Sequence, residues 1–170
     1  FMAMVTGFSK PMIVTAVDGQ GLIDQHQMAC AVLGGEDRFR ANPLFGIYIE
    51  PISPLQHSPE VLDKLLYASD KGIPIVYVPA PTAGGTAPVT LAGVLVQGLA
   101  ESLAGLVVSQ LRAPGAGLIM GGVYTILDFR TMIFSYGCPE LLLLSAALTD
   151  IAKYLGLPMF STAGCSDSKV

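Results

Sequence analysis

Pro11-Met12-Ile13-Val14-Thr15-Ala16-Val17-Asp18-Gly19-Gln20-Gly21-Leu22-Ile23-Asp24 opens the patterned part of the chain and narrows its fold. Residues 11–17 are short, apolar and β-branched, as a buried strand requires, and Asp18-Gly19-Gln20-Gly21 is a turn signal. A dinucleotide-binding sheet would follow its first strand with G-x-G-x-x-G. Here Asp24 stands where the third glycine belongs, so that motif is absent, and no Walker loop occurs elsewhere.

Working outward, apolar residues from Ile23 to Leu33 keep helical spacing and end at Gly34-Gly35. Phe45 to Ile49 reads as a second strand, closed by Glu50-Pro51. Ser58-Pro59-Glu60 carries the marks of a helix start: a capping hydroxyl, proline at the first position and acid in the first turn. Lys71-Gly72 ends that helix, and residues 73–78 form a third strand. A long helix follows the loop 79–88, then a strand at 116–120 ending in Gly121-Gly122, a helix from Pro139-Glu140 to Leu155-Gly156, and a fifth strand at 157–160.

Near-continuous apolar strands alternating with helices imply a parallel sheet covered on both faces. A doubly wound open sheet and a slice of a (β/α)8 barrel both satisfy the pattern. Five strands in about 150 residues match five of the eight units of a barrel, which needs about 250 residues. The expected fold class is α/β, a partial TIM barrel of about five βα units, with residues 1–170 forming a single partial domain. The chain begins on Phe1 without an initiator methionine and both termini fall within or beside apolar, patterned segments, so a segment of a larger protein is expected.

Charged residues make up only 13% of the chain, against about 25% in ordinary domains. A chain so poor in charge needs further covering surface, and a homo-oligomer is expected. The net charge of −4 without a Lys/Arg cluster argues against nucleic-acid binding, which requires concentrated positive surface. Cys30, Cys138 and Cys165 are widely spaced without C-x-x-C, which fits a reducing cytoplasm and no thiolate metal site. His26 and His57 are isolated, so no metal is expected. Residues 87–111 are long enough to span a bilayer, but Glu101 sits near the middle at a steep cost, so a buried helix and no membrane span is the reading adopted.

In a parallel barrel, functional groups project from the carboxyl ends of the strands. Those points carry Asp18 with Gln20, then Glu50, then Thr82 to Thr86, then Gly121-Gly122 with Tyr124, then residues 161–169. Glu50, directly after an apolar strand, is the prime candidate for acid, base or cation-binding work, balanced against a loop-capping role. Asp18 precedes a glycine and reads more readily as a turn former. The loop 81–88, with Gly84, Gly85 and Thr86, offers amides to an anion, although a plain glycine connection is the better reading on spacing. Cys165 lies in a reactive-looking run, but no histidine is placed in a strand-end loop to activate it.

One ordered series of motifs goes further. Gly84-Gly85-Thr86-Ala87-Pro88-Val89-Thr90-Leu91-Ala92-Gly93, Ala100-Glu101-Ser102-Leu103-Ala104-Gly105, Gln110-Leu111, Pro114-Gly115-Ala116, Gly121-Gly122, Asp128-Phe129-Arg130-Thr131, Gly137-Cys138-Pro139-Glu140 and the run 163–169 together resemble trimethylamine:corrinoid methyltransferases. The match is dense over residues 73–170 and looser before. The resemblance implies the central part of a (β/α)8 barrel in a cytoplasmic enzyme, of the kind used in methanogenesis, that moves a methyl group from a methylated amine, trimethylamine or a quaternary amine such as glycine betaine, to the Co(I) of a corrinoid. That cobalamin-type cofactor would be carried by a partner corrinoid protein, with none bound directly. Some members contain pyrrolysine; this sequence shows none.

Within that reading Glu50 is the expected catalytic residue, Tyr48, Thr86, Tyr124 and Asp18 bind substrate, and Gly84, Gly85, Gly121, Gly122, Ser166 and Asp167 lie on corrinoid-facing loops. Tyr77 is a further aromatic face for a cation. Tyr48 and Glu50 share a strand face, expected to point inward. The competing readings are a barrel enzyme for phosphorylated small molecules, with its phosphate on Gly84-Gly85-Thr86, and a non-catalytic assembly segment. This segment alone is expected to be inactive, because missing units leave a sheet edge unpaired.

Overall fold

A computed structural model describes residues 1–162; Cys165, Ser166 and Asp167 lie outside the described residues. The elements in chain order are α1 (Met2–Gly7), β1 (Met12–Val14), α2 (Gly19–Leu33), α3 (Glu36–Ala41), β2 (Phe45–Ile49), α4 (Pro59–Lys71), β3 (Ile75–Tyr77), β4 (Thr82–Ala83), α5 (Leu91–Arg112), β5 (Leu118–Gly122), β6 (Thr125–Asp128), β7 (Ile133–Phe134), α6 (Pro139–Leu155) and β8 (Met159–Ser161).

The main sheet has the order β1-β2-β3-β5-β8, with β1–β2 and β5–β8 paired in parallel. Strands that follow in the sheet as they follow in the chain are wound in one sense throughout. A doubly wound sheet reverses at a switch point, and this one does not. The order is that of consecutive βα units of a (β/α)8 barrel, so the fold is a partial TIM barrel. A second sheet, β4-β6-β7, joins a short parallel pair to an antiparallel hairpin.

Helix ends follow local chemistry. The Asp18 side chain accepts from the Gly21 amide at 2.8 Å and caps α2, which therefore starts at Gly19 rather than at Ile23. Ser58 caps α4 with Pro59 in its first turn, and Pro139 opens α6. Gly34, Gly72 and Gly156 terminate α2, α4 and α6 with φ of 85°, 70° and 68°, a left-handed region that costs other residues a steric clash.

The chain packs as two compact units. The first comprises Phe1–Ile49, Ser58–Val76 and Val107–Leu118; the second comprises Glu50–His57, Tyr77–Leu106 and the chain from Ile119 onward. In the first, β2 alternates in burial, with Phe45, Ile47 and Ile49 at 1% exposure or less. The Phe45 ring meets Phe39 of α3, which fixes the helix-facing side of the strand. By the period of two, Tyr48 lies on the opposite side with Gly46. His26 is buried, edge-on to Phe39, with Nδ1 3.0 Å from the Tyr67 hydroxyl; burial pushes its pKa down. Ser69 and Ser109 satisfy each other at 2.9 Å.

In the second unit, α5 takes two tyrosine rings onto glycines seven residues, or two turns, apart. A Cβ on Gly98 would sit 2.3 Å from Tyr124 Cζ, and one on Gly105 would sit 2.4 Å from Tyr77 Cε1. Only glycine lets the helix approach that closely. The helix is long and apolar enough to cross a membrane. Its packed side nevertheless carries Glu101 and Ser102, both at 0% exposure, with Ser102 donating to the Gly121 carbonyl at 3.1 Å. Leu141, Leu144, Leu148 and Ala152 form the buried stripe of α6 at helical spacing.

Candidate functional site

Within the second unit, the residues that directly follow β2 and β3 line a cleft of about 400 Å³. Glu50, Pro51, Ile52 and Ser53 form one side, and Ala80, Thr82, Thr86 and Phe134 complete it. Among the described residues the lining offers one carboxylate, three hydroxyls and one aromatic ring, with no lysine or arginine. Such a lining is complementary to a small cation with an apolar body.

Each wall has a local cause. Glu50 follows β2 directly, one alternation beyond Ile49, so it falls on the side away from Phe45, Ile47 and Ile49. Residues 51–56 then form a tight loop in which the Ile52 and Gln56 backbones exchange two hydrogen bonds of 2.9 Å. His57 ends the loop, its Nδ1 2.6 Å from the Tyr77 hydroxyl, with the two rings stacked. Burial, with the nearby Glu101 carboxylate, holds the Tyr77 hydroxyl far above its ordinary pKa, so it stays protonated and can donate to His57.

The opposite wall is a closed turn. Gly84 donates to Ala87 O, while Gly85, Thr86 and Ala87 all donate to Thr82 O, each at 3.0 Å. Gly84 has φ of 77°, and the Phe129 ring fills the space where its Cβ would stand, 2.5 Å away. The Thr86 hydroxyl accepts from the Thr82 amide at 3.1 Å. The loop read as a possible anion cradle therefore has its amides committed to its own carbonyls. The phosphate reading, which needs the Thr86 amide, loses the donors it depends on.

Phe134 is a residue that sequence reasoning misses. It reaches the cleft because β4 pairs with β6 (Thr82 opposite Thr125) and β6 turns back into β7, with Leu127 opposite Phe134. The turn is an Asx type: Asp128 accepts from the Arg130 amide and the Thr131 hydroxyl, each at 2.9 Å, and these bonds hold its carboxyl below the usual range. The turn-forming run Asp128-Phe129-Arg130-Thr131 after the apolar pair Ile126-Leu127 is the available signal for this hairpin.

The structure thus brings Glu50 and Thr86 together. Asp18 caps α2 in the first unit, and Tyr48 lies on β2 without entering the cleft lining. Tyr124, expected as a substrate contact, is 1% exposed, and its ring is pressed against Gly98 and Gly122. Gly121 and Gly122, expected as loop residues, are the last two of β5. There a Cβ on Gly121 would meet the Phe160 carbonyl at 2.6 Å, and one on Gly122 would meet Tyr124 at 2.3 Å. Close packing between neighbouring elements explains those glycines. Among the described residues no cluster of three or more His, Cys, Asp or Glu side chains could hold a metal ion.

The family model for Trimethylamine methyltransferase (MTTB) matches residues 1–170. The chain is 36% identical over 162 residues to a trimethylamine methyltransferase of Desulfitobacterium hafniense, covering 95% of this chain and 33% of that protein. It is 37% identical over 191 aligned positions to one from Methanosarcina thermophila, covering 96% of this chain and 40% of the relative. A glycine betaine methyltransferase of D. hafniense is 32% identical over 146 residues, covering 86% and 30%. The chain spans about a third of the length of these relatives. With a family match over its full length, it belongs to the trimethylamine methyltransferase family.

Proposed function

We propose that this chain is part of an enzyme that transfers a methyl group from a methylated amine to a corrinoid protein, and that the Glu50 cleft holds the amine's positive charge. The observation that carries the reading is the meeting of Glu50, Thr82, Thr86 and Phe134 in one cleft. The partner's corrinoid supplies the methyl-accepting nucleophile. The residues of this chain bind and orient the cation, so catalysis by them is chiefly a matter of placement.

Magnitudes rank the contributions. A carboxylate about 4 Å from a cationic nitrogen gains roughly 1 kcal/mol in water and about 4 kcal/mol where the surroundings are half-dry. A ring face such as Phe134 adds about 0.5–2 kcal/mol. Glu50 is therefore the larger contributor wherever the bound amine excludes water. The test is Glu50→Gln in the full-length enzyme, with transfer followed by the absorbance change of the corrinoid on methylation. Loss of at least tenfold in kcat/KM is expected; unchanged transfer sinks the assignment.

A further inference from the structure

Glu101 is a buried carboxylate in the middle of α5, with 0% exposure and no place in the cleft lining. Ionised groups are seldom buried without partners, because desolvation is costly. Its partners are two groups of the 51–56 loop and Gln97, one turn earlier on α5. Oε2 accepts from the Ser53 hydroxyl at 2.7 Å, and Oε1 accepts from the Leu55 amide at 2.9 Å. Oε1 also accepts from Gln97 Nε2 at 3.0 Å, and the same Nε2 donates to the Thr86 carbonyl at 2.8 Å.

Ser53 and Thr86 belong to the two chain segments that form the walls of the cleft, residues 50–53 and 80–86. A continuous chain of hydrogen bonds, Ser53–Glu101–Gln97–Thr86, therefore ties both walls to one helix, with Glu101 and Gln97 on successive turns of the same face. Charge-assisted bonds to a buried acceptor are the stronger kind, and their alternative is an orphaned charge. We infer that Glu101 and Gln97 form a brace that sets the width of the cleft and, through it, the size of the alkylammonium group accepted. Both are positioning residues; neither touches the cation.

The inference rests on the amine-site reading for its consequence but not for its geometry, and two measurements separate them. Hydrogen exchange on the full-length protein judges the brace alone. In Glu101→Ala, exchange at residues 51–56 should accelerate about tenfold, the equivalent of one hydrogen bond to a charged group. Glu101→Gln, which keeps an acceptor for Leu55 and a group for Ser53, should stay near wild type. Unchanged exchange at 51–56, or acceleration spread evenly over the protein, overturns the brace. Should Glu101→Ala fail to fold, Ser53→Ala and Gln97→Ala, which leave the carboxylate two partners each, must show the same local acceleration in weaker form.

Competition by tetramethylammonium and tetraethylammonium against the amine substrate judges the consequence. Wild type should prefer the smaller cation, and Gln97→Ala and Glu101→Ala should each relax that preference by about fivefold or more, whereas a merely structural defect weakens both cations alike. An unaltered ratio in the brace variants overturns the size-setting role. If neither cation competes in wild type, the amine-site reading and the size-setting role fall together, and the exchange result still decides the brace.

Discussion

Tyr124 and Gly98 lie closer than any other residue type at position 98 would permit: a Cβ there would be 2.3 Å from Tyr124 Cζ and 2.5 Å from its hydroxyl oxygen. The same ring also packs against Gly122, where a Cβ would be 2.3 Å from its Cε1. That hydroxyl is buried with no hydrogen-bond partner among the described residues, and the nearby Ser102 hydroxyl donates to the Gly121 carbonyl.

Opposite outcomes are expected from the two halves of this contact. Gly98→Ala gains up to about 1 kcal/mol of helix propensity but overpacks by about 1–3 kcal/mol, and the clash should win because the ring is fully buried and also packed against Gly122. Tyr124→Phe removes an unsatisfied buried hydroxyl and should be neutral or stabilising by up to about 1 kcal/mol. Urea denaturation checks both. Tyr124→Phe should also leave the KM for amine unchanged; a rise would return Tyr124 to the substrate site.

Glu50 should discriminate between amines. A cation without a carboxylate is drawn to Glu50, whereas glycine betaine brings its own carboxylate toward it, with no lysine or arginine among the described lining residues to receive it. Glu50→Gln should weaken a simple methylammonium substrate by about tenfold or more and change the KM for betaine far less. Steady-state kinetics with the two substrates measures the ratio, and an equal loss on both contradicts the electrostatic account.

Inorganic phosphate should not bind the turn at residues 82–87. At about a hundred times its dissociation constant a ligand stabilises by roughly 2.7 kcal/mol, which a melting curve resolves easily. No upward shift of Tm is expected at about 10 mM phosphate relative to equal ionic strength of chloride. A saturable shift abolished by Thr86→Ala would restore the phosphate reading.

Acid should weaken the first unit in two steps with distinct owners. Burial chiefly lowers the His26 pKa, so its folded value lies below the unfolded one of about 6.5. Its contribution is complete above pH 6.5 and is lost as pH falls toward the depressed folded value. Asp70 is lowered mainly by its bond to Arg112; its contribution is present above about pH 3.9 and is lost below that as pH falls through the folded value. His26→Gln should flatten the slope of stability just below about pH 6.5 and spare the lower limb, to which Glu36 and Glu60 also contribute, while Arg112→Met should reduce the lower limb and spare the upper. The Asp70 limb should also shrink in about 1 M NaCl, because that pair is partly exposed. Urea midpoints across roughly pH 3–8 provide the measurement.

Local chemistry is legible in the order of residues. Capping residues, glycine terminators and apolar spacing place α2, α4, α5 and α6 and the five strands of the main sheet, because those signals act within a few residues. They also place Glu50 at a strand end. The hairpin β6–β7 escapes such reading, since two- and four-residue strands bury too little to leave a periodic trace, and with it goes Phe134.

Short-range patterns of residue type thus settle the alternation of helices and strands and the family to which the motifs belong. Long-range contacts settle the rest. Strand order, which separates a barrel from a doubly wound sheet, depends on pairing between distant segments. The fate of the reactive-looking groups does too: Tyr124 turns from ligand to packing because α5 offers Gly98, the glycine loop closes on its own carbonyls, and Glu101 becomes a brace because Ser53, Leu55 and Gln97 converge on it. A side chain's chemistry is fixed by its type, but its role is fixed by which distant partner reaches it first.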